Sequence, residues 1–173
     1  MKIIIRIVLL AALVALGVGL WTVVFPNPEK VIRKRLTELA RTVSSSANES
    51  DLARIAAARS VAGFFAANVE LNVDLPELGQ RTMDREEITQ AALMARSRAG
   101  GVQVKFPDIN ITVAPDKQSA VADLTVEANV SDEHDSAVRE MKFTLRKTDS
   151  QWLITRVETV RTLTCDSPRH FEL

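Results

Sequence analysis

The chain has 173 residues, 46% of them apolar, and its 22 basic and 22 acidic side chains cancel to zero formal charge. That balance excludes the global positive field that draws nucleic acid, so no nucleic-acid partner is expected. The single cysteine, Cys165, excludes an intrachain disulfide and any multi-cysteine metal site, and it lies far from an N-terminal lipoprotein-processing position.

Ile7 to Phe25 is a run of 19 residues without a charged side chain, preceded by Lys2 and Arg6. As a helix it would span roughly 28 Å, which matches the hydrocarbon core of a bilayer. Trp21 near its far end suits the interfacial aromatic position. The rival reading is a cleaved export signal with Gly17-Val18-Gly19 as its small-residue site. The apolar run continues to Phe25, where a mature N-terminus should turn polar, and this favours an anchor. Basic residues flank both ends, with Lys30, Arg33, Lys34 and Arg35 on the far side. The short charged leader resembles the n-region of an export signal. The expectation is therefore a single-pass protein of the bacterial inner membrane type, held in the bilayer by residues 7–25, with its C-terminal domain extracytoplasmic. The expected organisation is an anchor over 1–26, a folded domain over 27–164 and a flexible tail over 165–173. About 145 residues then remain to build a core.

Asn27-Pro28-Glu29 opens a helix, with Asn as N-cap and Pro at the first helical position. Ile32, Leu36, Leu39 and Val43 form its apolar stripe. Ser44 to Ser50 is a polar break. A second helix follows from Asp51, with Leu52, Ile55, Ala58, Ala62 and Phe65 on one side. Asn68 to Leu75 alternates apolar Val69, Leu71, Val73 and Leu75 with polar residues, which predicts a strand. Asp84 and Glu87 form a capping box that opens a third helix, with Ile88, Ala91, Ala92 and Ala95 inward. Gly100-Gly101 ends it. Val102, Val104 and Phe106 are followed by Ile109, Ile111 and Val113. The change of parity across Pro107-Asp108 predicts one bent strand with a bulge.

Ala114 to Gln118 is a turn, and a three-strand block follows it. Ala122, Leu124, Val126, Ala128 and Val130 alternate with polar residues, as do Met141, Phe143 and Leu145. The third strand carries Trp152, Leu153, Ile154, Val157, Val160 and Leu163. Alternation of this kind predicts an α+β domain built on an antiparallel sheet with one buried face.

Four passages carry a resemblance: Phe64-Phe65-Ala66-Ala67-Asn68-Val69, Thr82-Met83-Asp84-Arg85-Glu86-Glu87-Ile88, Phe106-Pro107-Asp108-Ile109 and Gln151-Trp152-Leu153-Ile154. The stretch from Glu29 to Leu163 resembles the nuclear transport factor 2-like superfamily, which includes SnoaL-like proteins. That likeness implies a cone, in which a curved antiparallel sheet wraps about three helices and a pocket opens at one end. Members use the cone as an enzyme pocket, as a ligand cavity or as a dimerisation and assembly module.

Candidate chemistry is sparse. An isomerase-type site needs a carboxylate base on the first strand and tuned acid donors facing it. Glu70 is the available carboxylate, but the chain has no tyrosine to act as donor. Asp123 and Glu127 fall on the polar face of their strand. Phe64, Phe65 and Trp152 are the candidate pocket-lining residues. His134, in Ser131-Asp132-Glu133-His134-Asp135-Ser136, reads as part of a solvated hairpin loop, and His170 lies in the tail. No metal or cofactor is expected, since no phosphate-binding or nucleophile motif is present. The basic cluster Lys30, Arg33, Lys34, Arg35 and Arg41 is either a solvated helix face or a contact with anionic headgroups. Two functions remain open: a non-catalytic envelope module that binds a protein partner or a small apolar ligand, and a SnoaL-like isomerase or hydrolase using Glu70. A homodimer through the outer sheet face, with Thr125, Glu127, Lys142, Thr144 and Arg146, is the expected self-contact.

Overall fold

The computed structural model describes residues 27–73, 79–98, 101–130 and 136–163. The candidate anchor over residues 7–25, the hairpin loop with His134, and the tail with Cys165 and His170 lie outside them. Among the described residues no helix is long and apolar enough to cross a membrane. The elements run α1 (Pro28–Val43), α2 (Asp51–Ala62), β1 (Phe65–Asn72), β2 (Gln80–Asp84), α3 (Arg85–Arg98), β3 (Val102–Lys105), β4 (Ile109–Val113), β5 (Ser119–Val130), β6 (Ser136–Thr148) and β7 (Gln151–Leu163).

Each helix starts where its capping residues place it. Asn27 Oδ1 accepts from the Glu29 N–H at 3.0 Å, and Ser50 Oγ accepts from the Ala53 N–H at 3.3 Å. At α3 the capping box is complete: Asp84 Oδ1 accepts from the Glu87 N–H at 2.8 Å, and Glu87 Oε2 accepts from the Asp84 N–H at 2.9 Å. These bonds satisfy amide donors that a helix start otherwise leaves open.

The seven strands form one sheet in the order β2-β1-β7-β6-β5-β3, with β4 also paired to β5. The sheet is mixed, not wholly antiparallel as the alternation implied, because β1 runs parallel to β7. Phe64 O accepts from the Ile154 N–H at 3.0 Å, and Phe65 pairs with Ile154, so the end of the helical layer feeds straight into the last strand. Strand β2 was not expected. Gln80-Arg81-Thr82-Met83-Asp84 carries one apolar side chain, and only the pairing of Met83 with Val69 shows why it is a strand: both are buried.

Curvature comes from single extra residues. Lys105 pairs with Glu127 and Ile109 with Leu124, so four steps along one strand face three along the other. This is the bulge predicted from the parity change, here deep enough to divide the strand into β3 and β4. The Thr125 N–H closes the gap on Asp108 O at 3.1 Å. Strand β7 carries two more irregularities against β6, between Glu140 and Met141 and between Thr144 and Leu145. Thr155, the surplus residue at the second, donates its hydroxyl to Thr144 O at 3.2 Å. A bulge bends its strand and increases local twist, so three bulges turn a flat sheet into a trough.

The helices fill that trough. Ile32, Leu36 and Leu39 of α1 pack in one cluster with Val69, Phe143, Leu145, Trp152 and Ile154. Phe106 meets Phe143 edge to face, with centroids 6.3 Å apart. The stripe of α1 is as predicted, and those of α2 and α3 are so in part, with Ala58 and Ala62 buried in one and Ile88 buried and Ala92 half-buried in the other. In α2 the buried residues are Ala58, Val61 and Ala62, whereas Leu52 is 79% exposed, Ile55 is largely exposed and Phe65 belongs to β1. In α3 Ala91 and Ala95 face outward, and Ile88 and Arg96 are buried. Alanine-rich helices offer too little contrast between faces to specify which one turns in.

Trp152 is 3% exposed and sits just after the two-residue turn Asp149-Ser150, whose φ values of 48° and 68° suit a tight hairpin. Trp152→Ala should cost about 3–5 kcal/mol in a urea melt. A loss under about 1 kcal/mol would show that the trough closes without it.

Candidate functional site

The resemblance implied a pocket at one open end of the cone, with Phe64, Phe65 and Trp152 as its candidate lining. Trp152, Phe64 and Phe65 do come together, in one apolar cluster, with Trp152 inside it and the two phenylalanines half-buried against it. Among the described residues the buried side chains are apolar except for Arg96, so no carboxylate is buried at this site.

Glu70 faces the other way. Along β1 Val69 is buried and Leu71 packs on the core, which turns Glu70 to the outer face, where its side chain is 61% exposed. Its Oε2 lies 2.6 Å from Arg156 Nη2 and accepts from Arg156 Nε at 2.8 Å. The hydrogen bond to Glu70, then the charges of Glu70 and Glu158, hold the Arg156 guanidinium above its ordinary pKa. A carboxylate engaged twice by an arginine at the surface is a strand-to-strand tie. A groove of about 390 Å³ runs beside it, lined by Glu70, Asn72, Gln80, Arg81, Thr82 and Arg156.

The rest of the outer face is laced across the strands. Lys142 lies between Asp123 and Glu158 in register and reaches Asp123 Oδ1 at 3.7 Å. A second groove, of about 320 Å³, crosses β4, β5 and β6 near the bulge, with Asp108, Asp123, Thr125 and Glu140 among its lining residues and Leu124, Met141 and Val160 beside them. Among the described residues no three His, Cys, Asp or Glu side chains converge to hold a metal ion.

The basic cluster of α1 separates. Arg33 donates to Ile109 O at 2.9 Å and pairs with Glu29 at 3.3 Å. Arg35 donates to Gly63 O at 2.9 Å and lies over the Phe64 ring, 5.0 Å from its centroid. Burial lowers the pKa of Arg35, with Glu38 opposing, and its Nε is buried without a partner. Lys30, Lys34 and Arg41 remain exposed.

Arg96 is the buried ion that sequence reasoning missed. Its Nη1 meets Glu49 Oε2 at 2.8 Å, while Nη2 donates to Thr42 O and, at 3.0 Å, to Ser44 O. It therefore caps the last carbonyls of α1 and clamps the connection to α2. Its place one turn beyond Ala92 and two beyond Ile88, on the inward stripe, was the available signal.

No family model and no curated protein sequence matches the chain. Solved structures do. An NTF2-like protein of unknown function from Pseudomonas putida superposes with a TM-score of 0.60 at 12% identity, over 78% of this chain and 87% of its own. A scytalone dehydratase-like protein from Novosphingobium aromaticivorans gives 0.58 at 17%, over 79% and 84%. The yeast UBP3-associated protein BRE5 gives 0.57 at 15%, over 81% and 99%. The chain has the NTF2-like, cystatin-like fold. At these identities the likeness is one of fold. The NTF2-like cone here has three helices on a curved mixed sheet, an apolar cluster between them and, among the described residues, Arg96 as its buried ion.

Arg96→Met should cost about 3–5 kcal/mol, because it leaves Glu49 and the end of α1 unpartnered in a dry site. Glu70→Gln, on the open surface, should leave the denaturation midpoint unchanged. Equal midpoints for the wild type and Arg96→Met in urea melts would refute the clamp.

Proposed function

We propose that the chain is a non-catalytic binding or assembly module of the cell envelope, anchored through residues 7–25 with its NTF2-like domain on the extracytoplasmic side. The observation that carries this reading is the apolar cluster between helices and sheet, in which no carboxylate of the described residues is buried. An enzyme of the SnoaL-like kind needs a water-excluded pocket with ionisable groups aimed into it. In this chain Leu36, Phe143, Leu145 and Trp152 pack in one buried cluster, and Glu70 is paired on the outside. That apolar packing also favours a protein partner over a small apolar ligand. Among the similar structures, the yeast protein is by its name an associate of another protein.

The outer sheet face is the surface offered. Across β5 and β6, Asp123 faces Lys142, and Glu127 and Arg146 stand four residues from that pair in opposite directions. Among the described residues neither Glu127 nor Arg146 has an ion pair. A two-fold axis crossing the strands at Asp123–Lys142 brings each Glu127 over the copy's Arg146. Such an isologous contact repeats every favourable pair twice. Thr125 and Thr144, short and half-buried, let the faces approach.

Carbonate extraction should leave the full chain in the membrane fraction, and crosslinking in the membrane should capture a partner or a second copy. Release by carbonate would overturn the anchor. In sedimentation at low salt the protein should associate weakly. Glu127→Arg and Arg146→Glu should each abolish the association, and together restore it. A strict monomer at high concentration would remove the sheet contact from the proposal.

A further inference from the structure

Helix α1 carries two kinds of cation. Arg33 and Arg35 are spent on the fold, through Ile109 O and Gly63 O. Lys30, Lys34 and Arg41 are exposed, and among the described residues they have no ion pair or hydrogen bond through their side chains. At about 100° per residue, positions 30, 34 and 41 fall within about 40° of one another, diametrically opposite the Ile32–Leu36–Leu39 stripe. The outermost line of the helix therefore carries three cations, with Thr37 between Lys34 and Arg41. Of its acidic residues, Glu29 is paired with Arg33, and exposed Glu38 stands one turn from both Lys34 and Arg41, so the face is cationic by three to one.

The chain just before this helix is the uncharged run that ends at Phe25, with only Pro26 and Asn27 between it and Pro28. Asn27 has ψ 117°, a non-helical value, and precedes a proline. The backbone thus breaks direction there, so α1 need not continue the line of whatever precedes it. Two residues leave no room for a linker that would lift the domain away.

We propose that α1 lies lengthwise on an anionic bilayer surface, with Lys30, Lys34 and Arg41 against lipid phosphates. The inference rests on the anchor reading and adds an orientation of the domain to it. The orientation has a sharp consequence. If α1 stood upright on the membrane, Arg41 would be about 20 Å from Asn27 along the helix, beyond the Debye length of about 8 Å at physiological salt. If α1 lies flat, Arg41 senses the lipid as strongly as Lys30.

The full chain reconstituted in vesicles reports this through amine acetylation read by mass spectrometry. Phosphatidylcholine vesicles are compared with vesicles that also contain phosphatidylglycerol. Acetylation of Lys30 and Lys34 should fall several-fold in the anionic vesicles, while the exposed Lys117 and Lys147 are unaffected. The Arg41→Lys variant should show the same protection at position 41. High salt should remove it, since the Debye length at 1 M is about 3 Å. Equal labelling in the two vesicles would overturn the proposal and leave the anchor standing. Protection of Lys30 without protection at position 41 would overturn the flat orientation. Protection that depends on protein concentration and not on lipid charge would assign the face to a second copy or another protein. Failure of the chain to float with neutral vesicles would overturn the anchor, and with it the lipid contact.

Discussion

The described domain depends on one buried guanidinium. Arg96 reaches from the last turn of α3 to the carbonyls of Thr42 and Ser44 and to the carboxylate of Glu49. These groups belong to the end of α1 and to the connection that leads into α2. That connection also adds to the sheet: Ser45 exchanges backbone hydrogen bonds with Val102 at 2.8 and 3.0 Å, and Ser44 Oγ accepts from the Val104 N–H at 2.9 Å. One side chain thus ties the helical layer to the β3 edge. A hydrocarbon in its place would remove the guanidinium charge, but it would take a donor from two carbonyls and a carboxylate. The site has the geometry in which a buried ion is retained, with every strong acceptor around it matched.

What was legible in the sequence is what local chemistry dictates. The caps at Asn27 and Asp84 stood at the observed helix starts, and the α1 stripe turned inward as its spacing required. The change of parity at Pro107-Asp108 was readable because a bulge on a half-buried strand must shift the apolar set by one residue. The bulge at Thr155 left no such trace. There the run Trp152-Leu153-Ile154 is apolar on both faces, and no alternation exists to be broken.

What was not legible depends on contacts remote in sequence. The parallel pairing of β1 with β7 joins residues some ninety positions apart, and no local pattern encodes the direction of a partner. Strand β2 exists because Val69 offers Met83 a buried place, not because of its own composition. The faces of α2 and α3 are chosen by the partners they meet, since alanine gains little from either side. For the candidate site, the alternation of Val69 and Leu71 with Glu70 already set Glu70 on the face away from the apolar side chains. What it did not supply was the partner, Arg156, at the far end of the chain.

The apolar packing between helices and sheet bears on the proposed function. A catalytic pocket holds polar groups in a low dielectric, and each must be matched or it costs stability. Here the side chains between helices and sheet are apolar and in mutual contact, and Arg96, the buried ion among the described residues, meets two carbonyls and a carboxylate. Under the proposed reading this interior contributes to folding, and recognition falls to the two surfaces that the core does not use. The outer sheet face presents both signs of charge, arranged so that neighbouring strands cancel. The back of α1 presents an excess of one sign, with Lys30, Lys34 and Arg41 against Glu38. A face of cancelling charges suits a partner of similar pattern, which includes a copy of itself, whereas a face of one sign suits an extended surface of the other. These two demands do not compete, because the strand registers and the helix stripe place them on opposite layers of the fold.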